Sequence, residues 1–589
     1  VTDCSTRSPR FAKKCETAKD GPQGTALYRL SDEDQDGRID GVDPLIKFTG
    51  EMGEHGPHAL ALGPDGLIYM VLGNFARPDK QYEISSPHRS FYEGDLIQPR
   101  YEDASGHAVG VKAPGGTIVR TDATGGAIEL VAGGLQNPYD LAFNRDGELF
   151  TADSDMEWDT GMPWYRPTRV THVVPGAEFG WRSGWAKWPD YFYDSLPAMA
   201  ELGRGSPTGL EVYNHVMFPQ RFHNALFVCD WSRGRILAVH AKSGNKLEAG
   251  SYDGSVETFL EGQPLNVTDC AVGPDGALYF CTGGRDTEGG VYRVVWEGKV
   301  PPEITNLGKG LMAALRQPQL QSAWGRQQVA LVKQQLGKQW GVELTAVATS
   351  ATAPSWQRTR ALDLMQLFGP VPSKELLAKL STDPTPSVRG RAAYLMGIYG
   401  SDVAQARLIA LLNDPEPRNQ RLACEALTRS GLPAPPEKLL KLLASDDRFV
   451  AWAARQSLEQ LPPDNWRKLV LKSPEKRVFL EGGLALMKLR DRESTSPTLR
   501  NCGRLLGGYL TDDEFLNLLR LVEVALLQGD PAPDDILKMR ELLVKEYPSR
   551  NENMNRELVR LLTYTQDPRA AELFVQQLRE DRPQIEKMQ

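Results

Sequence analysis

The sequence predicts a multidomain chain: an all-β propeller, residues 1–300, followed by an all-α solenoid, residues 301–589. Three observations carry this. A hairpin phrase recurs in the first half, as His58-ALALGPDGLIYMVLG-Asn74, Tyr139-DLAFNRDGELFTADS-Asp155 and Thr268-DCAVGPDGALYFCTG-Gly284. The chain changes character near Pro301-Pro302, between residues 297 and 305. A helical pattern then repeats with a period of roughly 30 residues, the regime of stacked solenoids.

Each hairpin copy joins two alternating apolar runs through a P-D-G or R-D-G turn. Alternation has the period of a half-buried strand, and Asp-Gly supplies the positive φ of a tight turn. Such hairpins repeated along a chain build blades around an axis, and the binding site of that architecture lies at a mouth of the axis. Taken in order, Thr25-ALYRL and Leu45-IKFTG give half a blade. His58 to about Val131 gives the next, with an insertion at 75–114. Asn137 to about Trp181 gives another, followed by an insertion at 182–205. Ser206 to about Leu260 and Asn266 to Trp296 complete the count at four and a half. An open ring exposes strand edges, so further blades are expected before Val1.

In the second half, Ser355-WQRTRALDLMQLFG, Asp383-PTPSVRGRAAYLMGIYG, Asn413-DPEPRNQRLACEALTRSG and Ser445-DDRFVAWAARQSLEQL share one form. A Pro- or Asp-bearing turn leads into a helix carrying Arg, then Ala, then Leu. Asp or Ser caps the helix, Pro sits where its missing N–H costs nothing, and Ala admits a close neighbour. This half is read as a scaffold or docking surface for a protein partner.

Bulk properties narrow the function. A net charge of −8 without a basic block excludes nucleic acid as a natural partner. No apolar run reaches the length of a membrane span. The seven cysteines form no C-x-x-C-H, so no c-type haem attaches here. Cys4 and Cys15 are spaced to close a short loop, and Cys229 and Cys281 read as core.

Four groups of residues carry chemistry. Asp32, Asp34, Asp36, Asp40 and Asp43 fall at positions 1, 3, 5, 9 and 12 of a calcium loop, with Gly37 at the sharp turn and the Arg38 carbonyl at position 7. His55 and His58 lead into the first full hairpin, where a histidine facing the axis can take a proton from an alcohol while a cofactor accepts hydride. Asn137 stands at the same place one blade on, with Asp153 and Asp155 at the paired strand end. An aromatic stretch, Trp158, Trp164, Tyr165, Trp181, Trp185, Trp188, Tyr191 and Tyr193, suits stacking on sugar rings, covering a pocket or packing an insertion. Arg204, Arg233, Arg235 and Arg285 lie near strand ends, as surface charges or as partners of an anionic group.

The order of these motifs, from His55 to Asn74, then GLQNPYDLAF, AEFGW, SPTGLEVY and ALFVCDWSRGRILAV, resembles the soluble quinoprotein sugar dehydrogenases. It is more similar still to the membrane-bound dehydrogenase family of planctomycete-type bacteria, which joins such a propeller to HEAT-like repeats and often to a cytochrome c. The resemblance implies a six-bladed propeller, calcium, pyrroloquinoline quinone, and export to the periplasm or a membrane surface. It makes His55 the catalytic base. Gln136, Asn137, Asp153 and Arg233 fall at the cofactor. It also marks departures: Gln136, Ser232, Asn266 and Thr268 stand where the sugar dehydrogenases place cations that grip the quinone.

Three readings follow. The first is an exported dehydrogenase oxidising a sugar or polyol and passing electrons to an external acceptor such as a cytochrome c. The second is a non-catalytic carbohydrate- or protein-binding propeller on a HEAT scaffold. The third is a calcium-dependent, lactonase-like hydrolase with Asn137, Asp153 and Asp155 on the metal.

Overall fold

The computed structural model describes residues 25–34, 36–50, 54–97, 108–154, 166–184, 186–243, 250–300 and 302–588. The expectations placed on Cys4, Cys15, Asp155, Trp158, Trp164, Tyr165 and Trp185 lie outside these residues.

Five sheets of three to five strands form the blades. Blade 1 has Ala26–Ser31, Gly41–Gly50 and Ala76–Pro78, the last contributed by the insertion that follows blade 2's second strand. Blade 2 has Pro57–Leu62, Ile68–Leu72, Gly116–Thr121 and Ile128–Leu135, with Ala177–Glu178 added in parallel. Blade 3 has Leu141–Phe143, Leu149–Asp153, Thr168–Val173 and Ala200–Gly203. Blade 4 has Pro207–Val212, Leu226–Asp230, Arg235–Ser243 and Tyr252–Glu261, and blade 5 has Val267–Val272, Leu278–Gly284 and Thr287–Val294. The sequence count is one half-blade lower because blade 1 takes its third strand from a distant insertion. Sheets 1 to 5 pack face to face through apolar clusters such as Leu27, Ile46 and Phe48 against Met70, Leu72 and Val119. On blade 5 the last strand is exposed along most of its length, with Val291 at 79%. Five blades are what the described residues contain, and the six-bladed count has no counterpart among them.

The repeated turn folds the same way in each copy. Gly63, Asn144 and Gly273 donate their N–H to the carbonyls of Leu67, Glu148 and Ala277. Gly66, Gly147 and Gly276 supply the positive φ that the turn requires. In blades 2 and 5 the turn Asp also accepts the hydroxyl of the tyrosine four residues on, Tyr69 to Asp65 and Tyr279 to Asp275.

The second half is a stack of antiparallel helices. Ser373, Ser401, Asp447 and Thr511 cap their helices through side-chain oxygens, and Pro386, Pro417, Pro436 and Pro533 open theirs. Ala392, Ala393, Ala423, Ala453 and Ala454 are buried where helices approach. The recurrent Arg ties one repeat to the next. Arg358 forks onto Asp383, Arg389 onto Asp414 at 2.6 and 2.9 Å, and Arg467 onto Asp491 at 2.6 and 2.7 Å. Bidentate Arg–carboxylate geometry of this kind fixes the stacking angle as well as contributing energy.

The solenoid docks on the turn end of the propeller. Arg429 reaches Asp65 at 2.8 Å, Arg391 the Asp146 carbonyl at 2.8 Å, and Arg418 and Arg421 share Glu148 at 2.8 and 2.5 Å. The Trp324 indole donates to the Val272 carbonyl, and Gln319 to Glu211. The insertion 182–205 lies in the same interface. Asp194 binds Arg520 at 2.8 Å, the Tyr193 hydroxyl donates to the Leu480 carbonyl, and Tyr191 donates to Glu557. The guanidiniums of Arg182 and Arg520 lie over the Trp188 ring at 4.3 and 4.8 Å. Of the aromatic stretch, Trp188, Tyr191 and Tyr193 therefore join the two domains, while Trp181 packs within the propeller against Ala108 and Ala186.

Candidate functional site at the open mouth

The opposite end of the propeller gathers the ends of the second strands and the residues leading into the first. One device recurs there. In blade 3 the strand-end Asp153 accepts the N–H groups of Gln136 and Asn137 at 2.9 and 3.2 Å. In blade 4 Asp230 accepts those of Ser206 and Arg233 at 2.9 and 3.3 Å. Each Asp pins the approach to its own blade's first strand, which fixes the side chains around the mouth.

Asp153 is fully buried and also faces Arg169 at 3.3 Å and Lys187 at 3.7 Å. Its lone pairs are occupied by the protein. Gln136 is 1% exposed, and neither amide atom finds a partner among the described residues. Both side chains are buried.

His55 is 2% exposed, stacks on Phe75 at 4.7 Å and holds Asn74 Oδ1 through Nδ1 at 2.6 Å. His58 is half-buried, stacks on the exposed ring of Tyr139 at 4.4 Å, and meets Asn137 Oδ1 through Nε2 at 2.8 Å. Asn137 Nδ2 donates to the Glu54 carbonyl at 3.3 Å, which sets the amide so that Oδ1 faces the histidine. His58 is thereby assigned the Nε2–H tautomer, with its lone pair on Nδ1. Burial pulls its pKa down to about 4, opposed by the Asn137 bond and aided by the neighbouring His55. Gly73 makes the packing possible: a Cβ there would come within 2.3 Å of the His55 carbonyl and 2.5 Å of Asn137 Oδ1. Of the two histidines, His58 is half-buried and meets Asn137, while His55 is buried and meets Asn74.

Three carboxylates on the inner strands escaped sequence reasoning. Burial pushes Asp140 up to about 7 and Glu211 up to about 8, and raises Asp269. Repulsion from Asp269 adds to the shift of Asp140, and Asp140 and Asp269 both add to that of Glu211. The signal existed: Asp140 and Asp269 occupy the same position in two copies of the hairpin phrase.

On the blade 4–5 rim, Arg204, Arg233 and Arg285 are exposed. Arg233 Nε donates to the Arg204 carbonyl at 3.3 Å, and Arg285 pairs with Glu54 and lies over the Trp231 ring at 5.6 Å. Arg235 is tied to Asp230. Ser232, Asn266 and Thr268 spend their side chains on Asp230, the Trp231 carbonyl and the Cys281 carbonyl.

In the acidic loop, one carboxylate oxygen each from Asp32, Asp34 and Asp40 lie within 4.8 Å of one another. Asp32 Oδ1 is buried with no partner among the described residues, and Gly37 takes φ +86°. Asp36 accepts the Arg38 N–H, and Asp43 turns across the strand pair to Arg29 at 2.8 Å. The loop therefore converges three of the five expected carboxylates.

A family of HEAT repeats matches residues 373–459. No curated protein sequence matches the chain. Among solved structures, an oxidoreductase described as a glucose dehydrogenase from Thermus thermophilus aligns at 22% identity and TM-score 0.31, covering 45% of this chain and 77% of that one. The PQQ-bound aldose sugar dehydrogenase of Streptomyces coelicolor aligns at 16% and 0.32, covering 46% and 72%. The PQQ domain of pyranose dehydrogenase from Coprinopsis cinerea aligns at 9% and 0.19, covering 44% and 96%. Similarity at this level assigns neither substrate nor cofactor to this chain.

Proposed function

We propose that the open mouth takes a sugar or other polyol and that the protein is an exported, dehydrogenase-like oxidoreductase passing electrons to an external acceptor. The observation that carries this is the His58–Asn137 pair: a histidine held neutral, its tautomer fixed, beside an exposed aromatic ring. A neutral imidazole with a lone pair can accept a hydroxyl proton as a carbon–hydrogen bond is oxidised. Tyr139 offers the apolar face of a sugar a platform.

A carboxylate-bearing quinone would find its cations on the rim, with Arg285 exchanging Glu54 for it. Arg204, Arg233 and Arg285 would hold its carboxylates, and Asn137 would hold a ring oxygen through its second amide hydrogen. When bound, the quinone would supply the two-electron acceptor. Gln136 and Asp153 would support Asn137 from beneath and not touch the cofactor. Asp32, Asp34 and Asp40 would hold a structural calcium ion. A hydrolase with metal on Asn137, Asp153 and Asp155 is the less favoured reading, because Asp153 already serves Arg169, Lys187 and two backbone N–H groups.

The test is calorimetric titration of the full chain with a panel of aldoses and polyols, then dye reduction after loading with quinone and calcium. Binding with turnover supports the reading. Binding without turnover would favour a carbohydrate-binding propeller on a HEAT scaffold, and neither would end both.

A further inference from the structure

The end of the propeller opposite the mouth, where the solenoid docks, holds a pocket. A cavity of about 340 Å³ lies where blades 2, 3 and 4 meet the helices Pro386–Tyr399 and Pro417–Ser430. Ligand pockets run from about 300 Å³ upward and favour domain interfaces, so size and place both suit a ligand.

We propose that this cavity is a binding site for a small, neutral, hydroxylated ring compound, distinct from the mouth. Neutrality follows from the pairing of its walls. The lining guanidiniums each have a carboxylate: Arg120 with Glu129, Arg391 with Asp363, Arg418 with Glu148 and Arg429 with Asp65. A charged ligand would bring a charge with no counterpart into a desolvated space. The ring follows from the aromatic lining, to which Tyr69, Phe143, Tyr252 and Tyr394 contribute.

The hydroxyls follow from the polar groups left over. The guanidiniums of Arg391 and Arg429 lie over the Tyr394 ring at 5.5 and 5.8 Å, and no hydrogen bond joins its hydroxyl to another of the described residues. Glu425 gives one oxygen to Arg421 and keeps the other. Donors and acceptors thus converge on the same space, the pattern a hydroxyl can answer in both directions. Because the walls belong to both domains, an occupant would clamp solenoid to propeller.

The probe is 4-nitrophenyl β-D-glucopyranoside, titrated against the full chain by calorimetry and ligand-observed NMR. Wild type is expected to bind it, and binding is to survive His58→Ala, which touches the mouth alone. Leu422→Trp, filling the cavity, should abolish that remaining component. Tyr394→Phe should weaken it about 3- to 10-fold with the melting temperature unchanged. Binding that disappears in His58→Ala, or that persists undiminished in Leu422→Trp or in Tyr394→Phe, overturns the proposal. If Leu422→Trp does not fold, Tyr394→Phe decides. Failure here leaves the reading of the mouth untouched, since His58 and Leu422 lie at opposite ends.

Discussion

Asn137 Oδ1 lies 2.8 Å from His58 Nε2, while Asn137 Nδ2 donates to the Glu54 carbonyl. An amide anchored at one end has one face left for the imidazole, so the asparagine decides which ring nitrogen carries the proton. It does this without adding charge, and burial keeps the ring neutral.

Changing that amide to a carboxylate should reverse the second effect. Asn137→Asp places a negative charge against His58 and is expected to raise its pKa from about 4 by at least about one unit. NMR titration of the ring protons reads this directly. An unchanged pKa would mean that the two side chains do not pair in solution.

Glu211 gives a stability prediction with a definite sign. Its folded pKa, about 8, exceeds that of the unfolded chain, so the folded state holds a proton the unfolded state has lost across the window from about 4.5 to about 8. Folding stability from this group therefore falls as pH rises through that window. Glu211→Gln keeps the acceptor for Gln319 and removes the ionisation. It should stabilise the protein by on the order of 3 kcal/mol at pH 9 and by almost nothing at pH 4, read as the difference in denaturant midpoint. Equal effects at both pH values would contradict it.

Glu148 is the hub of the domain interface, accepting from Arg418, Arg421 and His172. Glu148→Ala takes the shared carboxylate from Arg418 and Arg421 and leaves them Asp146 and Glu425, so the cost is expected at about 3 kcal/mol, the low end for breaking a buried ion pair. Calorimetry is expected to show one unfolding transition for the wild type and two for the variant, as the propeller and solenoid uncouple. A shift of less than about 1 kcal/mol would show that the domains hold together elsewhere.

The acidic loop separates by residue. Calcium should raise the melting temperature of the wild type, since a ligand that binds only the folded state stabilises it. Asp32→Asn or Asp40→Asn should abolish the rise, and Asp43→Asn should leave it intact because Asp43 faces Arg29. Loss of the rise in Asp43→Asn would place that carboxylate back in the loop.

The architecture was legible because its determinants are local. The Asp-Gly turns at Asp65, Asp146 and Asp275 and the Pro openings at Pro386 and Pro417 work within a few residues. What escaped depends on contacts far along the chain. Trp188 reads as a loop aromatic until Arg520 is placed on it. Asp43 matches position 12 of a calcium loop, yet the pairing of Gly41–Gly50 with Ala26–Ser31 turns it to Arg29. His55 and His58 are three residues apart at the start of one hairpin. Spacing alone does not say which is covered by Phe75 and which rests on Tyr139.

The central claim is that His58, at the solenoid-free mouth, takes the proton of a bound polyol. Its most direct test compares dye reduction at saturating aldose by wild type and His58→Ala, both loaded with quinone and calcium. The account predicts a fall in kcat of at least about 100-fold, the scale of a lost general base, with aldose affinity within about threefold. Undiminished kcat in His58→Ala would contradict it.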